Sequence, residues 1–157
     1  MLLTDILLAD SVVVPLEASD KPHAIAMLAD VLGQRDDIED ADELREAVMR
    51  RESTRTTGIG HGVAIPHGKF KGCATLAMAV GKTAEPIDFD SIDGKPVDLI
   101  FLLASPEDQT GPHIQALAGI SRMLTDVELR GALKRAETAE DLYRMIAEHE
   151  ATVTADS

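Results

Sequence analysis

Two spacings of apolar residues run through this 157-residue chain, one suited to helices and one to strands. Val12–Val14 is a short apolar run that predicts a strand, closed by Pro15. Ala24, Ile25, Leu28 and Leu32 then share one face of a helix over about 20–32, for which Ser19 is a suitable cap. The acidic segment 36–40 reads as a connector. Asp40, with Glu43 three residues on, marks the start of a second helix that buries Leu44, Ala47 and Val48 and reaches about Arg51–Glu52. Gly58-Ile-Gly-His-Gly62 is expected to be a flexible turn, followed by a short extended run, 63–65, that stops at Pro66. Leu76–Val80 is another apolar run. Val97–Leu103, apolar on both faces, is expected at the centre of a sheet. The stretch 86–96 between them reads as a long loop or hairpin turning at Asp93-Gly94.

The final third has helical spacing. Pro112 opens a helix whose buried stripe is expected to be Ile114, Leu117, Ile120 and Leu124, and Thr125 with Glu128, then Thr138 with Asp141, mark two further starts. The expected architecture is α/β: a compact sandwich with a central mixed sheet flanked by helices on both faces. One domain over 1–150 accounts for the pattern, with the small polar residues 151–157 as a flexible tail.

Composition narrows the function. The formal charge of −13, from 28 acidic against 15 basic residues, repels phosphate backbones, so nucleic acid is an unsuitable partner. Asp5 and Asp10 interrupt the apolar N-terminus, no run reaches membrane-spanning length, and direct membrane insertion is not expected. The single Cys73 fits a reducing, cytoplasmic setting.

The chemistry concentrates between Arg51 and Lys69. A P-loop needs four residues between its glycine and Gly-Lys, followed by Ser or Thr. Five residues separate Gly62 from Gly68-Lys69, and Phe70 follows. A dinucleotide fingerprint needs a glycine at Val63 and a helix after it. Both nucleotide readings fail. What remains is His67, held behind Pro66, which restricts its own backbone and that of Ile65. A neutral imidazole near pH 7 offers one nitrogen as a nucleophile, and phosphoryl transfer asks mainly for alignment and placed positive charge. The glycine turn offers N–H groups for phosphate oxygens, and a nearby guanidinium offers a bidentate hold. On chemistry alone a structural histidine remains the commoner case. His113, behind Pro112, reads either as a solvent-exposed helix start or as a donor where a helix dipole favours anions. His61, His67 and His113 are possible metal ligands, but no paired ligand spacing supports a metal site. His23 and His149 read as surface residues.

The segment Arg51-Glu52, then Thr57-Gly-Ile-Gly-x-Gly-Val-Ala-Ile-Pro-His67-Gly, resembles the active-site signature of the fructose/mannitol and nitrogen-regulatory IIA proteins of the phosphoenolpyruvate-dependent phosphotransferase system, EIIA type 2. The likeness continues through Pro86-Ile-Asp-Phe89, Val97–Pro106 and Pro112-His-Ile-x-x-Leu-x-x-Ile-Ser-x-Met-Leu124, about residues 4–149 in all. It implies that His67 is phosphorylated on its tele nitrogen by a histidine phosphocarrier protein (HPr-like) and passes the group to a IIB domain. It further implies that Arg51 and His113 hold the phosphoryl group and that no cofactor is bound. Sugar transport is one outcome. The alternative is nitrogen-regulatory control of a transporter or sensor kinase, towards which a chain with no fused partner domain leans. His61 departs from the family's usual non-ionisable residue, either as a neutral change or as an added titrating group near the phosphate.

Overall fold

The computed structural model describes residues 2–36 and 38–155. Asp37 of the acidic connector and the last two residues of the expected tail lie outside them. In chain order the elements are β1 (Leu7–Leu16), α1 (Lys21–Leu32), α2 (Ala41–Thr54), β2 (Gly58–Gly60), β3 (Val63–Ala64) and β4 (His67–Phe70). There follow β5 (Ala77–Ile87), β6 (Val97–Pro106), α3 (Thr110–Leu124), α4 (Val127–Lys134) and α5 (Ala139–Ala155).

Among the described residues the strands form one mixed sheet in the order β1-β5-β6-β3-β2, with β4 also paired to β6. β5 and β6 are antiparallel, while β1 lies parallel to β5, and β3 and β4 parallel to β6. The apolar stretch of β6 explains its central place. Successive strand side chains point to opposite faces, so Ile100, Leu102 and Ala104 enter one core with α1 and α2. Leu99, Phe101 and Leu103 enter the other, with α3, α4 and α5. The α/β sandwich expected from the sequence, helices on both faces, is the fold observed.

Several boundaries differ, each for a physical reason. β1 continues through Pro15 because it is an edge strand, where a missing ladder donor is tolerated. β5 likewise passes Pro86, which lies beyond the last β1 partner, Leu16 with Thr83. Gly58–Gly60 is a strand rather than part of a flexible turn. It pairs with β3, and the reversal falls on His61 and Gly62, both at positive φ, as a two-residue hairpin requires. Asp20, not Ser19, caps α1, accepting from the His23 amide at 2.9 Å, and Asp126 rather than Thr125 caps α4. α2 runs on to Thr54, and α3 begins at Thr110, before Pro112. α5 continues to Ala155, where Thr152 Oγ1 donates back to Glu148 O in the manner of a regular helix.

Candidate functional site

Three elements converge at one end of β6. Gly68 on β4 makes the first junction possible: a Cβ there would lie 2.9 Å from Val48 N and 3.1 Å from Ala47 C, so only glycine lets the α2 backbone rest on the strand. That contact brings the last turns of α2 beside His67. The α2 end is then fastened by Glu52, a carboxylate only 4 % exposed. It accepts from the Thr57 amide at 2.8 Å and from Thr57 Oγ1 at 2.7 Å, and faces Lys21 Nζ of α1 at 3.0 Å. A buried charge is tolerated when it is paired and hydrogen-bonded in this way.

The result is an open cleft of roughly 450 Å³ whose lining includes Arg50, Arg51, His67, Gly68, Lys69 and His113. The three residues expected from the sequence at the phosphoryl site, His67, Arg51 and His113, come together here. His67 opens β4 in register with Leu103 of β6. Its Nδ1 lies 2.8 Å from the Ile65 carbonyl oxygen. A carbonyl can only accept, so Nδ1 carries the proton and Nε2, the tele nitrogen, holds the free lone pair. Its pKa lies below the usual imidazole value, mainly through burial. The Ile65 carbonyl and Glu52 oppose that shift, while Arg51 and Lys69 add to it. The outcome is a neutral imidazole with its Nε2 lone pair free.

His113 is buried in the first turns of α3, with its ring centroid 5.3 Å from that of His67 and the planes inclined by 57°. Its Nδ1 is 2.6 Å from Ser105 Oγ on β6. Burial first, then the neighbouring His67, Lys69 and Arg51, push its pKa down to about 4. His113 is therefore neither solvent-exposed nor charged near neutral pH. Arg51 donates from one terminal nitrogen to Arg55 O at 3.1 Å, which leaves further guanidinium N–H groups for the cleft. Lys69 donates to Thr110 Oγ1 at 3.3 Å, tying β4 to the start of α3.

The glycine turn does not serve this cleft. Val63 pairs with Leu99 whereas His67 pairs with Leu103, so four residues of β6, roughly 13 Å, separate the hairpin from His67. His61 sits at the hairpin tip, its amide donating to Asp93 and its carbonyl accepting from Lys134. It adds no titrating group beside His67. His23 is exposed and His149 half-buried, both outside the cleft lining.

Sequence reasoning missed Lys69, Ser105 and the burial of Glu52. Lys69 was within reach, since two residues along a strand return to the same face. Nothing in the sequence singled out Ser105. Among the described residues no group of three or more His, Cys, Asp or Glu is placed to hold a metal, and no helix is long and apolar enough to cross a membrane.

The chain is thus a mixed α/β sandwich with a neutral histidine, a second histidine and an arginine in one open cleft, a setting suited to an anionic group. Residues 5–149 match the family described as phosphoenolpyruvate-dependent sugar phosphotransferase system, EIIA 2, and the chain belongs to that family. It is 35% identical to a nitrogen regulatory protein of Bradyrhizobium diazoefficiens, over 94% of this chain and 95% of that one. It is 32% identical to the fructose-specific EIIABC component of Bacillus subtilis, over 96% of this chain but only 24% of that protein, about a quarter of its length. Among solved structures it is similar to nitrogen regulatory protein IIA-Ntr from Neisseria meningitidis, with a TM-score of 0.85 and 32% identity, covering 92% of this chain and 98% of that one. A complex of IIA and phosphorylated IIB mannitol enzymes from Escherichia coli shares the fold, with a TM-score of 0.78 at 19% identity, covering 91% of this chain and 99% of the other.

Proposed function

We propose that this EIIA domain is a cytoplasmic phosphoryl carrier whose acceptor is Nε2 of His67. The orientation of the His67 ring carries the reading: Nδ1 is committed to the Ile65 carbonyl, which leaves the tele nitrogen as nucleophile. As the Nε2–P bond forms, the N–P bond of the donor, a histidine phosphocarrier protein, breaks and its imidazole leaves. The proton on His67 Nδ1 stays in place, balanced by the carbonyl dipole. Arg51 and His113 hold phosphoryl oxygens, and Lys69 adds positive charge at the rim. The group then passes to a IIB domain, the kind of partner named in the structure of the mannitol complex.

A second reading gives the same chemistry a different end: the phosphorylation state controls binding to a transporter or sensor kinase. The likeness to proteins named nitrogen regulatory protein, 35% to 43% identical, favours weighing it.

Incubation with phosphoenolpyruvate and the upstream carriers should add one acid-labile phosphoryl mass to the wild type and none to His67→Ala. Equal labelling of the two proteins would end the proposal. Pull-downs with phosphorylated and unmodified protein then separate the readings, because the relay needs onward transfer to a IIB domain and the switch needs only state-dependent binding.

A further inference from the structure

We propose that Ser105 is a positioning residue that fixes His113 as the Nε2–H tautomer, so that His113 donates to the phosphoryl group instead of turning a lone pair towards it. The inference deepens the proposed phosphoryl-carrier function and rests on it. A neutral histidine carries one ring proton, and which nitrogen holds it decides whether the ring attracts or repels an anion. With Nδ1 turned to Ser105 on β6, the Nε2 edge is the one left for the cleft it shares with His67.

The hydrogen-bond inventory of Ser105 settles the direction. Its side chain is fully buried, and among the described residues Oγ has one partner, His113 Nδ1, at 2.6 Å. If Nδ1–H donated, the hydroxyl proton would be stranded in the interior with no acceptor. If the hydroxyl donates, its proton is satisfied and only spare acceptor capacity goes unused, which costs far less. The hydroxyl therefore donates, Nδ1 accepts, and the imidazole proton sits on Nε2. The low pKa of His113 is consistent with a neutral ring. The charged groups facing it are Arg51 from α2 and Lys69 from β4, both cations that disfavour a second proton.

The sequence explains why the arrangement holds. Ser105 pairs with Lys69 in the β4–β6 register, two residues beyond the His67–Leu103 pair. One strand, β6, thus sets His67 through β4 and His113 through Ser105.

The test combines nitrogen-15 NMR of the ring nitrogens with transfer kinetics for wild type, Ser105→Ala, His113→Gln and the double variant. Gln places an amide N–H near the Nε2 position and has no counterpart of Nδ1, so it does not need Ser105. Wild-type His113 should show the Nε2–H signature. Ser105→Ala should mix the tautomers and slow transfer about tenfold, yet change the rate less than twofold in the His113→Gln background. An Nδ1–H signature in the wild type overturns the proposal, as does an equal loss from Ser105→Ala in both backgrounds. If wild-type His67 is never phosphorylated, the carrier reading fails while the tautomer measurement still decides what Ser105 does.

Discussion

Replacing Glu52 by Gln tests whether the α2 end is held by a buried charge. The carboxylate accepts two hydrogen bonds from Thr57 and pairs with Lys21, whose side chain is 14% exposed. Gln keeps an oxygen for one Thr57 bond and loses the ion pair. A charge-assisted bond is worth about 1.5–3 kcal/mol, and stranding one partner of a buried pair costs about 3–5 kcal/mol. Asp90, 3.8 Å from Lys21 and exposed, retains a little of that attraction, so the expected loss is about 2–3 kcal/mol. At an m-value of about 2 kcal/mol/M this lowers the urea midpoint by roughly 1–1.5 M. Because Arg51 precedes Glu52 on the loosened turn, phosphoryl transfer to His67 should also slow about tenfold, about 1.4 kcal/mol in barrier. Adding Lys21→Met should recover part of the stability, since the double change leaves no unpaired charge. A Glu52→Gln midpoint within 0.2 M of wild type, with unchanged transfer, would refute the account.

Two further outcomes follow from the same geometry. Gly68→Ala should cost about 1–3 kcal/mol in chemical denaturation, because its Cβ meets the α2 backbone, whereas Gly111→Ala, with nothing within 4 Å, should cost nothing. Equal effects at the two glycines would contradict the close approach. The folded pKa of His113 is depressed to about 4, so its contribution to stability is complete above the unfolded value of about 6.5 and fades as pH falls through that window. Between pH 7 and 5 the wild type should lose about 1–2 kcal/mol more than His113→Gln, allowing for water at the cleft mouth. Parallel stability–pH curves for the two proteins would exclude a buried neutral imidazole at this position.

What was legible in the sequence depended on side chains that leave a pattern. The apolar run of β6 and the helical stripe of α2 were readable because burial on given faces demands them. The stripe expected on α3 was half right: Ile120 and Leu124 are buried, but Ile114 is 60% exposed, because Ala116 and Met123 turn the buried face away from it. Gly58–Gly60 was not, since glycines show no alternation, and its strand exists only through pairing with β3. Pro15 and Pro86 look like terminators in one dimension and are harmless where no ladder partner waits for a donor. That His67, Arg51 and His113 would share one cleft was legible because motif spacing carries all three. His61, nearer to His67 in sequence than Arg51 is, falls outside because extended chain covers distance quickly. Ser105 escaped because its meaning lies entirely in what it touches.

If His67 carries a phosphoryl group as proposed, the sharing of β6 between both histidines bears on traffic through the cleft. A relay must receive and release the same group, and a site that gripped it too well would end the chain of transfers. Here the frame is a strand with β4 on one side and β5 on the other, its apolar residues buried in both cores. On the proposed carrier function, an incoming and a departing phosphoryl group meet the same contacts, so the direction of flow is set by the transfer potentials and concentrations of the two partners, as in an unbiased valve.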